Sequence, residues 1–184
     1  MLLEFKATNY KSFKDELIFS MIPAPKQKGL DYSILHEKIG NRTYKGLSSA
    51  IIYGSNASGK TNIIGAMDTF KNIVLRGNIR NDEKDSPNAA AVALELIPNN
   101  TCIETEPVSF SIKFIEQEML VEYAFSMDIG KFLDLEYTRK VVKESLKINE
   151  KLIFNREEEL EICSLDLIED YLVNKFEEYT EGGW

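Results

Sequence analysis

The sequence predicts an α/β protein in which one amphipathic helix is followed by a run of antiparallel strands. Three observations predict it. A short apolar run, Ser49-Ala50-Ile51-Ile52-Tyr53, stops abruptly at Gly54 and gives way at Lys60 to helical spacing. Residues 54–61, between the run and the helix, satisfy the pattern G-x-x-x-x-G-K-[ST] in full. Further along, two successive segments alternate apolar and polar residues, the signature of half-buried strands.

Taken in order, Leu2-Leu3-Glu4-Phe5 reads as a first strand and residues 16–21 as a second. Asn9-Tyr10-Lys11-Ser12-Phe13-Lys14 forms a polar turn between them, and Pro23 and Pro25 close the second strand. Residues 26–47, rich in Lys, Gly and Tyr, read as less regular. The run 49–53 suits a strand buried on both faces. Ile63, Met67, Phe70 and Val74, with Ile64 and Ile73 beside them, give a helix over 60–76 that stops at Gly77.

Residues 78–89 read as a polar loop. In the next region Val108, Phe110, Ile112 and Phe114 alternate with polar neighbours, as do Val121, Tyr123, Phe125 and Met127. Residues 140–148 and 151–155 continue this antiparallel meander around a turn at Asn149-Glu150. Finally Leu165, Ile168, Leu172 and Phe176 mark an amphipathic helix over 164–180, with Ser164 as its N-cap. The domain reading is one unit, 1–184, holding a core at 1–80, a β-subdomain at 90–156 and this last helix.

Composition narrows the class. At 184 residues, 43% hydrophobic and 28% charged, the chain is long enough for one ordinary core. No apolar run approaches the roughly 20 residues needed to span a bilayer, and Glu4 and Lys6 interrupt any leader-like start. Cys102 and Cys163 are far apart in sequence and read as reduced thiols of a cytoplasmic protein, with neither a metal site nor a disulfide framework. The formal net charge of −8 is uneven: residues 1–80 carry twelve Lys/Arg against six Asp/Glu, and residues 157–184 ten acidic residues against one lysine. A basic first half suits a phosphate ligand or a polyanion, and an acidic end repels nucleic acid.

The chemistry resides in residues 54–61. Gly54 turns the chain off the preceding run, and Gly59 lets the backbone approach a phosphate with no Cβ in the way. The N–H groups of Ser55, Asn56, Ala57 and Ser58 form an anion-binding nest, and the helix opening at Lys60 adds unpaired N–H groups and positive partial charge. Lys60 reaches the β- and γ-phosphates as a point charge. The Thr61 hydroxyl ligates Mg²⁺, which otherwise prefers phosphate oxygens and water. The expected ligand is ATP with Mg²⁺.

The string from Ile52 to Ile64, containing Tyr53-Gly54-Ser55-Asn56-Ala57-Ser58-Gly59-Lys60-Thr61-Asn62, resembles the signature of ABC-type ATPase heads in the SMC/RecF/OLD group. The form Y-G-x-N-A-S-G-K-[ST]-N is typical of bacterial AAA-family ATP-binding proteins in that group, many linked to phage defence. Asn56 matches their phosphate-loop asparagine, and Asn62 the residue after the Ser/Thr. The opening is similar too: Asn9-Tyr10-Lys11-Ser12-Phe13 matches the family's N-[FY]-K-S-F. The resemblance implies that Lys11, Ser12 and Phe13 are base-side contacts, and that the fold is an N-terminal lobe with a mixed sheet around the phosphate-loop helix and an antiparallel β-subdomain. It covers residues 1–156, strongly at 49–64.

Departures from the family shape the functional expectation. A Walker B strand ends in Asp-Glu after four apolar residues. Neither Leu165-Asp166-Leu167-Ile168-Glu169-Asp170 nor Ala124-Phe125-Ser126-Met127-Asp128 meets that pattern. No L-S-G-G signature follows, and His36, the only histidine, precedes the loop. The resemblance therefore implies a split or truncated head that binds ATP in an ATP-gated assembly of DNA metabolism or phage defence. Such a head hydrolyses ATP only when completed by a C-terminal lobe, as a homodimer or hetero-assembly. The alternative is a non-catalytic interaction module pairing with a full-length ATPase. A GTPase fits worse, because Asn174-Lys175-Phe176-Glu177 is the nearest string to N-K-x-D; a nucleoside kinase lacks an Arg-rich lid. DNA is a further partner implied by family, with residues 1–80 as its basic surface.

Overall fold

The computed structural model describes residues 1–25, 29–56, 58–76, 96–101, 105–131, 134 and 136–164. Among these residues its architecture is mixed α/β, mostly antiparallel sheet with one α-helix. The strands are β1 (Leu2–Thr8), β2 (Leu17–Ser20), β3 (Ile34–Ile39), β4 (Arg42–Leu47), β5 (Val108–Glu116), β6 (Met119–Asp128), β7 (Lys140–Ile148), β8 (Lys151–Arg156) and β9 (Leu160–Ile162). Helix α1 spans Lys60–Arg76, and a 3₁₀ turn occupies Asp31–Ser33. Seven strands form one sheet in the order β2-β1-β5-β6-β7-β8-β9, and β3 and β4 form a separate hairpin. The helix expected over 164–180 falls beyond Ser164 on residues outside those described, as does the loop at 78–89.

Alternation dictates the sheet. In β1, Leu3, Phe5 and Ala7 are buried while their neighbours are half-buried. Ala7 pairs with Phe110 and Phe5 with Ile112 across the β1–β5 ladder. Phe110 in turn faces Phe125, and Ile112 faces Tyr123, across the next ladder. Every one of these residues therefore lands on the same face, because a strand's side chains repeat with period two. The two tight hairpins close on Gln117-Glu118 and Asn149-Glu150, all four at positive φ between 48° and 67°. That backbone twist matches the right-handed twist of the flanking strands.

Helix α1 covers this apolar face. Ala66, Phe70 and Ile73 from the helix join Phe5, Ala7, Tyr10, Val108, Phe110, Phe125 and Met127 in one buried cluster. Phe70 lies at its centre, stacked on Phe125 at 5.5 Å and edge-on to Phe5 at 5.7 Å. Aromatic pairs of this geometry add about 0.5–1.5 kcal/mol each beyond area burial. A smaller cluster of Leu3, Ile115 and Leu120 is covered by Met1 together with Ile39 and Tyr44 of the hairpin.

Three expectations are corrected. Residues 26–47 are not irregular over their second half: they contain the β3–β4 hairpin, with Gly40 at φ +56° in its turn. These strands are mostly exposed, and with so little burial they carry no clear apolar–polar alternation. The expected mixed sheet is antiparallel at every ladder among the described residues. The run 49–53 forms no strand, and Ile51 and Tyr53 are 89% and 90% exposed. A strand buried on both faces needs neighbours on each side, and no described strand lies beside it.

Candidate functional site

The loop of residues 54–59 leads from this exposed run into α1. Its end is set by Gly59 at φ +84°, a left-handed conformation that glycine adopts without strain. Space at Gly59 is equally restrictive: a Cβ there would lie 3.0 Å from the Ser12 hydroxyl and 3.2 Å from the Phe13 ring. The Asn62 N–H donates to the Gly59 carbonyl at 2.9 Å, closing the first turn of α1. That turn carries no acidic residue, so the positive end of the helix dipole is not offset locally.

Lys60 folds back over the loop. Its ammonium donates to the Gly54 carbonyl at 2.8 Å, the Ser55 carbonyl at 2.5 Å and the Ser58 hydroxyl at 3.3 Å. One cation thus gathers both ends of the loop around itself. A phosphate oxygen is a stronger acceptor for an ammonium than a neutral carbonyl, so this is an arrangement an anion can take over. Ser55, Asn56, Ser58 and Thr61 are exposed, while Gly59 and Lys60 are half-buried. Ala57 lies outside the described residues.

The turn between β1 and β2 sits directly against this loop. Ser12 accepts a 2.7 Å hydrogen bond from the Asn62 side-chain amide. Tyr10 is fully buried beneath, sharing a hydrogen bond of 3.1 Å with Thr69 of α1. Lys11 lies 5.4 Å from the Tyr10 ring centroid, within cation–π range. Phe13 packs partly against the main cluster. Ser12 and Phe13, distant from the loop in sequence, are therefore brought beside Gly59, whereas the Lys11 ammonium lies over Gly65 of α1, 3.8 Å from where a Cβ there would sit.

Asn9 and Asn99, whose roles sequence reading missed, hold this turn. Asn9 and Lys11 both adopt positive φ, at 52° and 47°, which must be supported from outside. The support is a clasp with residues 97–101 and 106. The Asn99 amide donates to the Lys11 carbonyl at 2.6 Å, Asn9 accepts from the Asn99 N–H at 3.0 Å, and the Asn9 amide donates to the Glu106 carbonyl at 2.6 Å. The Lys11 N–H adds a bond to the Ile97 carbonyl at 2.9 Å. Pro98-Asn99-Asn100 is a turn-forming string and was the available signal, but its partner Asn9, ninety residues earlier, was not readable.

Among the described residues, Asp128, His36 and Cys163 lie elsewhere. Asp128, at the end of the second Walker-B-like string, accepts from the Gly130 N–H at 3.1 Å and from the Tyr137 hydroxyl at 2.7 Å, which is a turn-fixing role. The string at residues 165–170 lies outside the described residues, as does Cys102. His36 is exposed on β3, and Cys163 is an exposed free thiol.

A second polar cluster sits away from the loop. The Tyr123 hydroxyl donates to Glu144 at 2.6 Å, and Arg156 lies 3.3 Å from the other Glu144 oxygen. Burial, followed by the Glu144 charge, pushes the Tyr123 phenol far above its ordinary value. Among the described residues no helix is long and apolar enough to cross a membrane, and no group of three or more His, Cys, Asp or Glu is placed to hold a metal. Comparison with protein-family models, with curated proteins and with solved structures found no match to this chain.

Proposed function

We propose that the chain binds a nucleoside triphosphate, ATP with Mg²⁺, at residues 54–61. The observation that carries the reading is the loop itself: a full G-x-x-x-x-G-K-[ST] pattern opening a helix, with Gly59 in the left-handed region and the Lys60 ammonium inside the loop's curve. On this reading the phosphates displace the loop carbonyls from Lys60. The N–H groups at the start of α1 meet the phosphate oxygens, and Thr61 completes the Mg²⁺ shell. Asn62 and Ser12 hold the β1–β2 turn at the loop, leaving Lys11 and Phe13 to flank the base and ribose. Hydrolysis needs an acidic group and a signature motif from a completing lobe, so the chain alone turns ATP over poorly.

Calorimetric titration of ATP·Mg²⁺ tests it. Lys60→Ala removes a charge-assisted contact and costs about 1.5–3 kcal/mol of binding, at least tenfold in affinity. Equal affinity of the two proteins for ATP·Mg²⁺ sinks the assignment.

A second reading, a non-catalytic module that pairs with a full-length ATPase, rests on Ile51 and Tyr53. Two large apolar side chains standing almost wholly in solvent beside the loop suit a surface that a partner covers. Tight ATP binding with no turnover in the presence of any completing lobe favours this module; ATP turnover by the chain alone excludes it.

A further inference from the structure

The outer face of α1 carries an ordered pattern that neither the core nor the phosphate loop uses. At 100° per residue, Ala66, Thr69, Phe70 and Ile73 define the buried side of the helix. Diametrically opposite, Ile64, Asp68, Lys71 and Leu75 fall within an arc of about 60°. Ile64 is 58% and Leu75 73% exposed, and Asp68 and Lys71 are exposed between them. Their spacing of four, three and four residues is that of alternate a and d positions in a heptad seam.

The stripe is also palindromic in chemistry. Its midpoint lies between Thr69 and Phe70. A two-fold axis there, relating two antiparallel copies of α1, sets Ile64 against Leu75 of the second copy. The same axis sets Asp68 against Lys71 of the second copy, so every contact is apolar on apolar or acid on base. An isologous interface demands this self-complementarity, in which residue i meets j and j meets i. A parallel pairing would instead place Asp68 on Asp68 and Lys71 on Lys71. Among the described residues Asp68 accepts from the Asn72 amide, at 3.2 Å, and neither Asp68 nor Lys71 has an ion-pair partner.

We propose that the outer stripe of α1 is a homodimer seam, occupied by the antiparallel α1 of a second copy of this chain. The two central ion pairs select the antiparallel register, as polar residues at seam positions do. A 17-residue helix is about 25 Å long, so the interface is small and belongs to the weak, concentration-dependent class. The two phosphate loops then lie at opposite ends of the helix pair. The seam makes no use of bound nucleotide, so it stands or falls separately from ATP binding.

Sedimentation velocity on the full chain without nucleotide, from about 1 to 200 µM, tests the seam. Wild type is expected to shift from monomer towards dimer across that range. Asp68→Lys places lysine on lysine twice and weakens the dimer roughly tenfold or more. The double exchange Asp68→Lys/Lys71→Asp restores both pairs and returns the dissociation constant to within about threefold of wild type. Leu75→Glu, at an exposed position that leaves folding intact by circular dichroism, abolishes the dimer. A wild-type protein monomeric throughout overturns the proposal, and so does a dimer indifferent to the charge reversal.

Discussion

The meander of β5–β8 and the stretch of residues 49–61 are both strongly patterned, yet only the first meets the environment its pattern demands. In the meander the core aromatic residues find partners one hairpin away: Phe110 faces Phe125, and Tyr123 faces Leu146. Local antiparallel pairing completes itself, since the next strand in sequence is the next strand in space. The run 49–53 is as apolar as any strand here, but Ile51 and Tyr53 stand in solvent. A strand meant for the middle of a sheet takes its neighbours from far along the chain or from another chain. The loop that follows, residues 54–59, depends less on such neighbours, because its shape comes from Gly59, Lys60 and the first turn of α1.

That contrast can be broken most readily at Phe70. Phe70→Ala removes the ring that touches Phe5, Phe110, Tyr123 and Phe125, and should cost about 3–5 kcal/mol in urea unfolding. A loss under about 1 kcal/mol would mean that α1 is not the lid of this sheet. Gly59→Ala comes next, at about 2 kcal/mol. The added methyl must adopt φ +84° and press on Ser12 and Phe13. ATP·Mg²⁺ affinity should fall with stability; a fully stable Gly59→Ala protein would show that the loop does not rest on the β1–β2 turn.

Tyr123→Phe probes the polar edge of the well-packed region. It removes the hydrogen bond to Glu144 and should cost about 1.5 kcal/mol at neutral pH. Burial first, and then the Glu144 charge, raise the Tyr123 pKa in the folded protein. A raised value means the folded state holds its proton longer than the unfolded chain. The contribution is therefore whole below the unfolded value near pH 10 and is lost progressively as pH climbs towards the folded value. Unfolding midpoints of wild type should fall more steeply than those of Tyr123→Phe between about pH 9 and 11; parallel curves would remove Tyr123 from that titration. The smallest effect belongs to the exposed region, where Tyr53→Ser should change stability by no more than about 0.5 kcal/mol. A larger loss would reveal packing that its exposure denies.

Legibility followed the same division. The β5–β8 strands, and the turn at Asn149-Glu150, were readable because alternation and tight turns are local. The β3–β4 hairpin was not, since it anchors through Ile39, Tyr44 and the close approach of Gly46 to the Met1 side chain. Beyond Ile34, Leu35 and Leu47 at its open end, its remaining strand residues are exposed Lys, Glu, His, Arg and Thr. The Gly40-Asn41 pair was its one local signal. At the candidate site, the loop was fully legible as a motif, and the turn at residues 9–13 was reachable through resemblance. The Asn9–Asn99 clasp behind that turn was beyond both, because it joins residues ninety positions apart through side-chain amides.

The sequence by itself determined the loop, the period of α1 and the faces of the meander, since each is written in residues within a few positions of one another. Only the tertiary structure decided the rest. It joined β1 to β5, so that the first strand and the meander make one sheet. It laid Ser12 on Asn62 and Phe13 beside Gly59, and it left the run before the loop uncovered. The reason is physical: local conformation follows from sterics and period, whereas which surfaces meet depends on apolar area spread over the whole chain.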